Sequence, residues 1–220
     1  MKARSYEKSL PNGYRMVKKM DAADIGFGLL LTLGSLLLFA VCLMAVALPF
    51  ALTKGRIDEI DFDRTTVLLI WYLVGTAVYT VLHELTHGVA YKALTGQKLS
   101  FGIKWNCAYC GVPNIFTYRR TSLIALYAPF TVYTVIMLPA LVWAWFANIE
   151  AYFVISLIFA THISGCIGDL YMGHILLTKY KSPLTLINDT GPCVRVFTFD
   201  IEYLNRSDKA TEAFKAKFNN

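Results

Sequence analysis

Apolar residues in this chain gather into four long runs separated by short polar intervals: Ile25 to Phe50, Thr65 to Tyr91, Thr121 to Ala147 and Ala151 to Thr178. Each exceeds the roughly 20 helical residues needed to cross about 30 Å of hydrocarbon. The first and third contain no charged residue, the second only Glu84 and the fourth only Asp169. This pattern predicts an all-α polytopic membrane protein with four transmembrane helices. The first run follows a 24-residue polar start and is too long for the apolar core of a cleavable signal peptide, so it reads as an uncleaved span.

Between the second and third runs the period changes. Leu99, Phe101, Ile103 and Trp105 alternate with polar or small residues, and a second apolar run begins after Gly111, which predicts a β-hairpin. Pro129 and Pro139 predict kinks in the third helix. Beyond the fourth run, Asp189-Thr190-Gly191 reads as a turn, and Val194, Val196 and their neighbours to Phe199 as a short strand pairing with the hairpin. The last twenty residues read as polar and weakly helical. The expected organisation is a basic segment 1–24, one four-helix transmembrane domain 25–178 and a tail 179–220.

Composition agrees: hydrophobic residues make up 56% of the chain and charged residues only 16%, with a mean hydropathy of +0.48. A net charge of +6 raises the question of nucleic acid, but the basic residues flank the apolar runs and form no separate basic domain. They set orientation instead. Lys2, Arg4, Lys8, Arg15, Lys18 and Lys19 precede the first helix, Lys98, Lys104, Arg119 and Arg120 lie between the second and third, and Lys179 and Lys181 follow the fourth. The first loop is rich in acid and the third has no basic residue, so both termini are expected in the cytoplasm.

The candidate chemistry sits in the second helix, at His83-Glu84-Leu85-Thr86-His87. Helix positions i and i+4 are about 40° apart, so His83 and His87 can offer imidazole nitrogens to one tetrahedral metal. Glu84 projects beside them, where a carboxylate takes a proton from a metal-activated water, the division of labour of metal-assisted peptide hydrolysis. A glutamate flanked by two histidines is costly in hydrocarbon unless something uses it.

Depth narrows the third ligand. Helices 2 and 4 both run from outside to inside; His83 lies 18 residues beyond Thr65 and Asp169 lies 18 beyond Ala151. At 1.5 Å per residue both sit about 27 Å below the outer end, whereas His162 is about 10 Å too shallow. His174 matches the depth of His87, and depth alone does not separate it from Asp169. An unpaired Asp in hydrocarbon costs a few kcal/mol, which favours a cation partner for Asp169. The extended zincin layout needs a histidine at 93, which is Ala93, and Glu150, Glu202 and Glu212 are poorly placed as ligands.

Taken together, His83-Glu84-Leu85-Thr86-His87-Gly88 in a span, the β-like loop, Ala128-Pro129 at the next span and Gly168-Asp169 in a further one resemble the putative zincin peptidases, membrane proteins similar to the site-2 proteases. The resemblance covers residues 65 to about 200. It implies zinc as cofactor, His83, His87 and Asp169 as ligands and Glu84 as base. Site-2 proteases usually carry an Asn-x-x-Pro element and an Asp followed by Gly, whereas this chain has Ser164-Gly165-Cys166-Ile167-Gly168-Asp169-Leu170.

The expected function is therefore an integral-membrane zinc metallopeptidase cutting peptide bonds of a membrane-associated or transmembrane substrate near the cytoplasmic face of the bilayer. A non-catalytic scaffold or chaperone and a metal or solute transporter are the alternatives; the scaffold needs no base, and four spans without an internal repeat speak against the transporter. An edge of the loop hairpin could take up an extended peptide through main-chain hydrogen bonds. Cys107 and Cys110 read as two unpaired thiols, Cys42 and Cys166 as packing residues, and five cysteines give no disulfide framework.

The charge pattern yields a topology test. Reporter fusions after Asn12, near Lys104 and after Asn205 should report cytoplasm, and a fusion near Glu59 the opposite side. A membrane-impermeant thiol reagent applied to intact cells should reach a cysteine placed at 59 and leave Cys107 and Cys110 untouched; labelling of the native pair would invert the topology.

Overall fold

The computed structural model describes residues 5–53, 61–104, 107–202, 205–206 and 208–209. The chain is mostly helical. Helix α1 spans Ile25–Leu52, α2 Thr65–Thr95, α3 Arg119–Ala147, α4 Ile149–Gly165 and α5 Ile167–Thr178. Three of these, α1, α2 and α3, are long and apolar enough to cross a membrane, and α4 with α5 makes a fourth if the bent pair is one span. Large side chains such as Leu33, Leu37, Trp71, Val135 and Trp143 point outward from these helices, an apolar exterior that suits lipid better than water.

The fourth apolar run is not the single helix expected from its composition. It breaks at Cys166, where ψ is 0°, and α5 leaves α4 at 40°. Gly165 and Gly168 flank the break, and low helix propensity on both sides lets the helix stop and restart at small cost. Leu170 N donates to the Cys166 carbonyl, so the new helix begins at once. By contrast α3 runs through Pro129 and Pro139 unbroken.

Local chemistry fixes the helix ends. Asp24 accepts from Phe27 N at the start of α1 and Asn148 from Ala151 N at the start of α4, while Gly96 ends α2 in the left-handed region at φ 67°. Asn148 closes α3 and opens α4, so α3 and α4 turn back on each other without a loop. Arg64 at the start of α2 pairs with Glu150 at the start of α4 at 2.9 Å, which ties these two ends together. Ser35 of α1 donates to the Ser164 carbonyl of α4, and Tyr152 of α4 to the Val46 carbonyl of α1.

Two sheets gather at the other end of the helices. Strands β3 (Ser100–Ile103) and β4 (Ala108–Gly111) pair antiparallel as a hairpin between α2 and α3; the first strand falls in the expected alternating run, but the second ends at Gly111 rather than beginning after it, and Trp105 lies outside the described residues. The larger sheet was unexpected. Strands β1 (Tyr6–Glu7), β2 (Tyr14–Asp21), β5 (Phe116–Tyr118), β6 (Leu186–Asp189) and β7 (Cys193–Phe199) form it in the order β1-β5-β6-β7-β2. The strand expected at Val194 to Phe199 therefore pairs with β6 and β2, not with the loop hairpin. Its nearest partner is adjacent in sequence across a tight turn, so closing that pair costs least entropy. Met20, Leu126, Met172, Leu176, Ile187 and Val196 make the core between this sheet and α3 and α5. Most of the final twenty residues, expected to be weakly helical, lie outside the described residues.

Gly111 joins the two sheets. A side chain there would run into the main chain of Asp189, Thr190 and Gly191, and the Val112 N–H just beyond it donates to the Asp189 carbonyl. Main chain cannot move aside as a side-chain tip can, so Gly111→Val should cost about 1–3 kcal/mol. It should lower Tm in detergent, while Gly165→Ala, whose added carbon would meet open space, should not.

Candidate metal centre

Three side chains meet where α2 passes the start of α5. His83 Nε2 and His87 Nε2 stand 3.2 Å apart, and Asp169 Oδ2 lies 3.3 Å from the first and 3.4 Å from the second. The break at Cys166 positions the carboxylate, because Asp169 falls in the first turn of a helix that starts afresh there. Both histidines are buried, and Asp169 is mostly covered. Depth left Asp169 and His174 open, and the geometry brings Asp169 to the pair. His174 is exposed further along α5 and does not join the group.

Each imidazole is held from behind. His87 Nδ1 donates to the Ala125 carbonyl at 2.8 Å. That carbonyl is available because Pro129, four residues on in α3, has no N–H to give it. A carbonyl only accepts, so Nδ1 carries a proton, and in the neutral imidazole Nε2 keeps its lone pair. His83 Nδ1 lies 2.8 Å from the hydroxyl of Tyr79, one turn earlier on α2, and the same hydroxyl reaches His162 Nδ1 at 2.8 Å. His162 is therefore behind the group, not in it, as its depth requires.

A cavity of about 380 Å³ opens in front of the three donors. Glu84, half-buried, lines it beside both histidines and has no hydrogen-bond partner among the described residues. Opposite stand Phe27, Leu31 and Leu36 of α1, and a third wall is the run Cys107 to Cys110 at the β4 edge. All five cysteines are free, and residues i and i+3 of an extended strand lie about 10 Å apart, so Cys107 and Cys110 are too distant for a disulfide.

The turn after β6 closes the cavity with a residue whose part the sequence alone did not reveal. Asp189 is buried, accepting from Gly191 N at 2.8 Å through one oxygen and from the Tyr91 hydroxyl at 2.7 Å through the other. Burial outweighs these bonds and pushes its carboxyl up to about 6. Tyr79, Pro129 and Asp189 were the missed members. A signal existed for two of them: Tyr79 lies on the His83 face four residues earlier, and a proline frees the carbonyl four residues before it.

Residues 76–183 match the model of a protein family described as putative zincin peptidase, a stretch that begins ahead of Tyr79 and ends beyond α5. No curated protein and no solved structure matches the chain significantly. The family implies zinc, and the donor set fits it. Zinc bonds of about 2.0–2.1 Å at tetrahedral angles put neighbouring ligand atoms about 3.3 Å apart, the spacing of these three atoms.

Asp189 generates a pH test. Its folded value lies above the ordinary carboxylate value, so the fold favours the protonated form, and stability is lost as pH rises from about 4 through about 6. Subtracting the stability of Asp189→Asn from that of the wild type should isolate this slope, with the variant gaining on the wild type by up to roughly 2–3 kcal/mol above pH 6. A difference that does not change between pH 4 and 7 would mean that Asp189 is not held protonated.

Proposed function

We infer from its membership in the putative zincin peptidase family over residues 76–183, and from the donor geometry, that this chain is an integral-membrane zinc metallopeptidase. The observation that carries the reading is the group of three donors at tetrahedral spacing with a carboxylate beside it facing a cavity. His83 Nε2, His87 Nε2 and Asp169 Oδ2 would hold the ion. When bound, zinc supplies a Lewis acid that polarises the scissile carbonyl and makes water nucleophilic near neutral pH.

The remaining work falls to the chain. Glu84 takes the proton of the attacking water and returns it to the departing amine, which its place beside the donors allows. The substrate is a membrane-associated or transmembrane peptide, held in extended form against β4. Among the described residues that strand pairs only with β3, and its residues line the cavity. Main-chain bonding along this edge would lay a scissile bond across the cavity mouth. Both termini and the two sheets lie on the cytoplasmic side, in keeping with the basic residues there. The scaffold reading leaves Glu84 without a use, and no feature of the cavity favours a transport path through the bundle.

Metal content and activity separate the roles. Full-length protein purified in detergent without chelator should carry about one zinc per chain, and His83→Ala or His87→Ala should abolish it. Glu84→Gln should keep the zinc and lose peptidase activity by several orders of magnitude; Asp169→Ala should lose both, and His174→Ala neither. Wild-type protein without stoichiometric metal would sink the reading, and Asp169→Ala at full occupancy would remove Asp169 from the ligand set.

A further inference from the structure

We propose that Tyr79, His162 and Thr134 form a directed hydrogen-bond relay that decides which nitrogen His83 offers to the metal, making Tyr79 and His162 positioning residues. The inference rests on the zinc reading above and adds residues to that site. Tyr79 Oη lies 2.8 Å from His83 Nδ1 and 2.8 Å from His162 Nδ1, and His162 Nε2 lies 3.0 Å from Thr134 Oγ1. The chain of contacts thus runs α2, α4, α3.

A hydroxyl has one proton. Placed between two imidazole nitrogens, Tyr79 donates to one and accepts from the other, and the two directions have opposite consequences. If it donated to His83 Nδ1, His83 would carry its own proton on Nε2, aimed at Asp169, with no lone pair left for a metal. If it donates to His162 Nδ1, His83 Nδ1 must donate to the hydroxyl, and Nε2 is free to bind.

The surroundings of His162 select the second direction. It is completely buried among the rings of Tyr79, Phe130, Tyr133 and Phe159, where a neutral imidazole with a single N–H is the affordable form. The Phe130 carbonyl, one turn before Thr134 on α3, faces His162 as an acceptor, on the side where His162 Nε2 lies 3.0 Å from Thr134 Oγ1. A carbonyl only accepts, so the proton of His162 sits on the nitrogen turned toward α3, which is Nε2. Nδ1 is then an acceptor, facing the Tyr79 hydroxyl and, at 3.7 Å, the weak donor Cys166 Sγ. The proton order that follows leaves His83 Nε2 bare. His87 reaches the same state by a different route, through the carbonyl that Pro129 frees.

The test uses full-length protein in detergent and zinc competition against a chromophoric chelator. Tyr79→Phe keeps the ring and removes the hydroxyl; it and His162→Leu should each weaken zinc binding about 10- to 100-fold, and the double variant should be no weaker than the worse single. His162→Asn, whose side-chain oxygen falls near the Nδ1 position, should recover affinity to within about threefold of wild type, which a loss of packing alone would not do. Nitrogen-15 spectra of the metal-free protein give a second readout: His83 should carry its proton on Nδ1 in the wild type and lose that preference in Tyr79→Phe. Wild-type zinc affinity in folded Tyr79→Phe, or an unchanged His83 tautomer there, would overturn the relay. Wild-type protein that binds no zinc would overturn the peptidase reading, while the spectra would still decide the relay.

Discussion

One carboxylate held against two imidazoles inside a bundle of apolar helices is the constraint around which this molecule is arranged. Asp169 Oδ2 approaches both Nε2 atoms within 3.4 Å, and two of the three side chains are buried. A carboxylate removed from water costs several kcal/mol unless a cation or donors face it, so the bundle gains only if the three groups meet accurately. A straight helix from Ile149 to Thr178 would carry Asp169 along one axis set by its packing on α1 to α3. The break at Cys166 decouples the two demands: α4 packs on α1 through Ser164 and Tyr152, and α5 is free to turn its first residues toward α2.

The sheet that caps the bundle serves the same end. Arg119 at the start of α3 donates through Nε to the Leu176 carbonyl at the end of α5 and through its main-chain N–H to Thr185, so strand, helix start and helix end are fixed together. Asp189 reaches from β6 to Tyr91, one turn beyond His87 on α2. Each element that carries a donor is thereby tied to the sheet as well as to its neighbours. The cavity is walled on one side by helices and on the other by main chain.

Much of the site was legible in the sequence because its determinants are local or periodic. HExxH spacing on a helix fixes the two histidines to one face, and counting residues from the outer ends of two spans that run the same way brings Asp169, not His162, to their level. Two features were hidden. The break at Cys166 involves no proline, so the apolar run looks continuous. The five-stranded sheet draws strands from three distant segments, and β2, an edge strand with Arg15, Lys18 and Lys19 among its residues, alternates too weakly to stand out from a basic leader. The first strand of the hairpin between α2 and α3 was visible in its own alternation, while the second, at Ala108–Gly111, lies ahead of the apolar run after Gly111 where it was expected.

The β4 edge bears on how such a site could handle a membrane substrate. A peptide inside a bilayer is helical because every N–H and C=O must be bonded within the chain. A helix is a poor substrate here: its main chain is sheathed in side chains, and a cavity of about 380 Å³ holds a few side chains, not a helical segment. Unwinding exposes main-chain groups, each costing several kcal/mol in hydrocarbon if left unpaired. On the peptidase reading proposed above, β4, which among the described residues pairs only with β3, would offer those groups new partners beside the donors. On that reading the hairpin would meet a substrate's main chain, and the apolar wall of Phe27, Leu31 and Leu36 would set side-chain preference.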